Sequence, residues 1–144
     1  MRVDFDTAEV QRNLQRVAAE MRTRIVDEAV EQAAKKLVEL VAKHPNVPRS
    51  SIPGGSKGKG HAADNFIYEQ QELGLYLVGV GPDHFYLRFH ETGAGSATGK
   101  TPSGRNYKTP ATPAKPFMRP TLENNKEALQ GEMAKIIRRE LGLR

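Results

Sequence analysis

Val10, Leu14, Val17, Met21, Ile25, Ala29, Ala33, Leu37 and Leu40 recur at three- and four-residue steps. At 3.6 residues per turn these positions form one stripe, so residues 7–43 predict a single long amphipathic helix. Its start is signalled by Asp6 as a cap, Glu9 as the box partner and Phe5 as a staple onto Val10. Unbroken, it would be about 55 Å long. A compact chain of 144 residues has an expected radius of gyration of only about 14–15 Å. The helix must therefore bend or reach beyond its own subunit, and either outcome leaves apolar surface for another chain.

Punctuation divides the remainder. Pro45 and Pro48 stop the helix, and residues 44–63 read as a flexible loop because of the run Pro53-Gly-Gly-Ser-Lys-Gly-Lys-Gly60. Asn65–Gln70 and Leu75–Val80 alternate, with Gly74 between them, which predicts a β-hairpin. Asp83 is expected to cap a short helix from His84 to Thr92, with Phe85 and Phe89 on one face and Gly93 at its end. Residues 94–115 read as a second flexible loop containing Pro102, Pro110 and Pro113. A last helix is expected from about Pro120 to Leu141, striped by Leu122, Leu129, Met133, Ile136, Ile137 and Leu141, with Gly142 as its stop. Two long helices around a small antiparallel sheet make an α+β class in a single domain, 1–144. One hairpin alone is marginal, so further strands are needed from the loops or from neighbouring subunits.

Charge separates loops from body. The net charge is +5. His44–Ala63 holds Arg49, Lys57 and Lys59 with no acid, and Thr92–Leu122 holds Lys100, Arg105, Lys108, Lys115 and Arg119 with no acid. These segments carry +8, leaving 14 basic and 17 acidic residues, a net of −3, on the rest. The chain has no cysteine, so disulfides, thiol catalysis and thiolate metal sites are excluded. No apolar run approaches the ~20 residues of a membrane span, and residues 1–25 lack the apolar stretch of a signal peptide, so the expected compartment is the cytoplasm.

Residues 94–101, Ala-Gly-Ser-Ala-Thr-Gly-Lys-Thr, fit a loose phosphate-loop pattern. That chemistry needs a strand leading in and a helix leading out. Here a short helix precedes, and only seven residues separate Pro102 from Pro110, so the match is rejected. His44, His61, His84 and His90 form no i,i+3 or i,i+4 pair that would put two metal ligands on one helical face. No nucleophile elbow occurs. Neither an enzyme nor a cofactor site is expected. The basic loops can meet nucleic acid through phosphate contacts, but only Tyr107 interleaves them and no reading helix is recognisable.

Three stretches carry a family pattern: Val78-Gly-Val-Gly-Pro-Asp83, Tyr86-Leu-Arg-Phe-His-Glu-Thr-Gly93 and Pro113-Ala-Lys-Pro-Phe-Met-Arg-Pro120. Together they resemble the tail-completion proteins of long-tailed bacteriophages, also called head–tail joining, neck or minor tail proteins. In that family an aromatic-rich segment ends in Glu-aromatic-Gly-Thr, and a Pro-Ala-x-Pro-Phe-x-Arg-Pro block opens the last helix. This chain departs in having Glu91-Thr-Gly-Ala and a longer segment, Gly95–Thr112, between the two motifs.

The resemblance implies a non-enzymatic virion protein without cofactor, made in the host cytoplasm. It would form a ring, commonly sixfold, at the head-proximal end of the tail tube, facing the head connector or stopper on one side and the tube or terminator on the other. Phe89, Glu91, Gly93, Pro116, Phe117, Arg119 and Pro120 would build the fold and its assembly, with Glu91 expected to pair with Arg119. The long helix and the hairpin edge would meet neighbouring subunits. Arg49, Lys57, Lys59, Lys100, Arg105 and Lys108 would contact the connector, the tube or the DNA in the channel. The neighbouring readings are a tail terminator or head-closure protein of the same neck and, from another class, a small basic nucleic-acid-binding protein.

Overall fold

The computed structural model describes residues 7–49 and 60–143. The proposed cap and staple at Asp6 and Phe5, and the basic positions Lys57 and Lys59, lie outside them.

Helix α1 runs unbroken over Thr7–Lys43. It ends where Pro45 removes a donor, and the chain turns through His44 N–H to the Val41 carbonyl (3.0 Å) and Val47 N–H to the His44 carbonyl (3.1 Å). The Arg49 guanidinium returns to the Ala42 carbonyl at 3.4 Å, placing a cation at the helix C-terminus. Val47 and Ala62 are buried, so the ends of the segment read as a flexible loop are built into the core.

Strands β1 (Phe66–Glu72) and β2 (Leu75–Val80) form the expected antiparallel hairpin, with Phe66 opposite Val80, Tyr68 opposite Val78 and a register shift between Gln70 and Glu72. Its inner face lies on α1. There the Asp27 carboxylate accepts hydrogen bonds from Gly74 N–H (2.7 Å), Gln70 Nε2 (2.8 Å) and Tyr76 Oη (3.2 Å), latching the hairpin tip to the helix. Burial first, and then Asp27, push the Tyr76 phenol up. One turn further along, Glu31 accepts from Tyr68 (3.4 Å) and pairs with Lys35 (2.9 Å), whose ammonium lies over the Tyr68 ring.

The expected helix from His84 to Thr92 divides in two: a 3-10 turn at Pro82–His84 and a short helix α2, Leu87–Thr92. The expected flexible loop at 94–115 contains a second hairpin, β3 (Ala97–Lys100) with β4 (Asn106–Thr109), extended by an Ala94–Thr112 bridge. Glycine and proline suggested flexibility, but the prolines flank the strands instead of interrupting them. Tyr107 also covers Gly99 so closely that a Cβ there would sit 2.7 Å from its hydroxyl. The two hairpins form separate two-stranded sheets, so β3 and β4 do not extend the first.

Helix α3 spans Met118–Glu140, starting two residues before Pro120. It ends in a Schellman arrangement, with Leu143 N–H on the Arg138 carbonyl and Gly142 N–H on the Arg139 carbonyl. α1 and α3 pack together, and Ala29, Ala34 and Leu129 are buried. The main cluster lies toward the C-terminal end of α1: Val41, Val47, Ala62, Phe66, Leu87 and Phe117, with Phe66 and Phe117 edge to face at 5.8 Å.

Candidate functional site

Phe117 occupies the cap position of α3 and has no side chain that could accept from the helix's first N–H groups. No Ser, Thr, Asp or Asn stands nearby in Pro116-Phe117-Met118-Arg119-Pro120. Glu91, 26 residues upstream at the end of α2, supplies the acceptor. Its carboxylate takes N–H bonds from Phe117 (2.7 Å), Met118 (3.0 Å) and Arg119 (3.1 Å). Pro120 has no N–H, and Thr121 N–H already bonds the Phe117 carbonyl at 3.2 Å, so every donor of the first turn is accounted for. Burial pushes the Glu91 carboxyl up, but the three N–H groups and nearby His44 outweigh it, and the net shift is downward.

This overturns the expected Glu91–Arg119 ion pair. Arg119 meets Glu91 only through its backbone; its guanidinium pairs with Glu123 at 2.9 Å. A guanidinium one residue into the helix points away along the exposed face, toward the i,i+4 carboxylate.

The other motif residues surround this cap. Gly93 has φ +76°, and a Cβ there would lie 3.1 Å from both Ala114 N and the Thr112 carbonyl. It therefore needs both the left-handed backbone and the missing side chain. The Pro116 carbonyl accepts from Asn46 Nδ2 (2.9 Å), tying the entry of α3 to the turn after α1. Phe117 is 2% exposed and Pro120 sits in the first turn. Phe89 is different: it is 37% exposed, beside Phe85 and under the Arg88 guanidinium, on an outer aromatic face. The shared face of Phe85 and Phe89 is thus surface, not core.

Of the basic positions, the fold brings three together. Lys100 and Lys108 share one face of the β3–β4 ribbon with Thr98 and Asn106, and Arg105 lies in the turn closed by Thr101 N–H on the Arg105 carbonyl (2.8 Å). All three side chains are exposed. Arg49 lies apart, on the C-terminus of α1. The segment 94–101 runs into strand β3 and a turn, with no helix following.

The largest exposed feature is the first half of α1. Residues 8–24 are all exposed, including Val10, Leu14, Val17 and Met21 at 47–64%. The outer face of the first hairpin adds Ile67, Leu75 and Leu77, each about half exposed. The stripe leaves the exposed apolar face of α1 legible in the sequence, but nothing there signals the Asp27 latch or the Glu91 cap, beyond the missing local cap before Met118. No helix among the described residues is long and apolar enough to cross a membrane. The chain matches no protein-family model, no curated protein and no solved structure.

Proposed function

We propose that this chain is a non-enzymatic structural protein of a long-tailed phage neck. Its subunits form a ring, commonly sixfold in the family that the sequence resembles, at the head-proximal end of the tail tube and join the tail to the head connector. The observation that carries this reading is the uncovered arm, residues 8–24 of α1, with its apolar stripe in solvent. A surface of that kind marks an interaction site. The motif block supports the same reading, because Glu91, Gly93, Pro116 and Phe117 act as architecture. The basic ribbon, reaching out from that frame, suits a polyanionic or acidic partner such as channel DNA or the connector surface.

The test is native mass by light scattering at low and high salt, with and without purified tail tubes, followed by negative-stain imaging. A discrete ring of uniform mass, free or on the tube end, is the expected result. A monomer under all four conditions overturns the reading. Salt-sensitive DNA binding by that monomer would favour the small nucleic-acid-binding protein instead.

A further inference from the structure

Apolar side chains stand in solvent on several faces, the ends of α3 with Leu122, Leu141 and Leu143 among them, and three of these faces differ clearly in charge. The arm of α1 carries Val10, Leu14, Val17 and Met21, with Arg12, Arg16, Arg22 and Arg24 against Glu9 and Glu20, a net of +2. The aromatic face of α2 presents Phe85 and Phe89 with Arg88. The outer face of the first hairpin presents Ile67, Leu75 and Leu77, and residues 66–80 contain two acids, Glu69 and Glu72, and no base. The strand register puts Glu69 directly opposite Leu77, so this negative charge lies on the apolar face itself.

We infer that the arm of one subunit docks across the outer face of the β1–β2 hairpin of a second copy, head to tail. The inference rests on the assembly reading above and names its contact. Charge selects the occupant: arm against arm brings eight arginines together against four glutamates. Arm against α2 sets Arg88, which lies over the Phe89 ring, against the arm's arginines with Asp83 as the opposing acid, since Glu91 is held in the α3 cap. The hairpin face combines a contiguous apolar area with two carboxylates and no base. The arm cannot reach its own hairpin face, because one unbroken helix carries both the arm and the Asp27 latch that holds the hairpin's inner face.

Area sets how the contact is used. The 17 residues form a rod about 25 Å long and 10–12 Å across, half of whose side surface is about 430 Å². Two such faces bury about 860 Å² in total, short of the ~1,200 Å² of a stable pair. A single contact is therefore weak. The contact is also heterologous, each subunit offering an arm and a hairpin face, so it continues from copy to copy, into a ring where its rotation closes and into a filament where it does not.

The chain has no cysteine, so engineered thiols report contacts cleanly. Leu14→Cys and Leu77→Cys, both at exposed positions, are prepared as separate full-length proteins and mixed with a bismaleimide. The expected product is a covalent dimer in the mixture that neither protein gives alone, and a ladder of multimers from the doubly substituted chain. Adding Val17→Glu should cut the yield by about tenfold or more, with the circular dichroism spectrum unchanged. A 14–14 dimer overturns the inference in favour of arm-to-arm pairing. A ring by light scattering without the 14–77 product overturns the contact but leaves the assembly reading standing. Monomers without any cross-link overturn the contact as well, and the tail-tube experiment above then decides the assembly reading on its own.

Discussion

The two halves of α1 share one sequence pattern and meet opposite fates. From Ala29 to Val41 its apolar stripe is covered by the hairpin, α3 and Phe117; from Val10 to Met21 the same periodicity stands in water. Periodicity reports which side of a helix wants cover, and says nothing about which chain supplies it. Stability of the subunit should therefore reside in the covered half and, on the assembly reading proposed above, contacts with other subunits in the uncovered one, and substitutions separate the two.

The largest effect is expected at Phe117, which joins Phe66 and Leu87 in the core cluster. Phe117→Ala should cost about 3–5 kcal/mol in chemical denaturation. A loss below about 1 kcal/mol would show that the cluster is not what holds the covered half. Next comes Glu91→Ala, which leaves the N–H groups of Phe117, Met118 and Arg119 without their acceptor. The cost should be about 2 kcal/mol, and Glu91→Gln should recover only part of it, because one amide oxygen still accepts while the other acceptor becomes an NH2 that cannot.

The same carboxylate gives a pH signature. Its folded pKa is lowered, so its contribution is fully present above the unfolded value of about 4.3 and is lost as pH falls through the folded value. A melting-temperature profile against pH should flatten over that acid window in Glu91→Gln; an unchanged slope would assign the acid sensitivity to other carboxylates. Gly93→Ala, which combines a positive φ with two 3.1 Å backbone approaches, should cost about 1–3 kcal/mol. A thermal melt of the purified variant measures it.

The smallest effect on the fold belongs to the arm. Leu14→Gln combined with Val17→Gln should change the stability of the isolated subunit by no more than about 0.5 kcal/mol, while native mass shifts toward the monomer. A large loss of stability instead would mean that the arm packs within its own subunit, and the contrast between the halves would collapse.

Much of this frame is readable from residues because it depends on local rules. The stripe of α1, the alternation on either side of Gly74 and the stop at Gly142 each lie within one element. What escaped depends on distance or on small margins. The ribbon at 97–109 is four residues a side, too short for alternation to outweigh its glycines and flanking prolines. Glu91 and Asp27 are surface-type residues in composition, and only the folded chain brings one to a helix start 26 positions away and the other to a hairpin tip 47 positions away. The Glu91–Arg119 expectation failed for a related reason: complementary charge suggested a partner, whereas the empty cap at Phe117 determined it.

The stem beneath the ribbon has a further consequence. Lys115 N–H on the His90 carbonyl (2.7 Å) and the paired bonds between Ala94 and Thr112 (2.9 and 2.8 Å) close the chain on itself just outside the Glu91 cap. Everything between those bonds is an excursion whose ends are already fixed, and doubling its length would cost only about 0.6 kcal/mol in closure entropy. Residues 95–111 can thus change in length at little cost in closure entropy, while the start of α3 stays where Glu91 holds it.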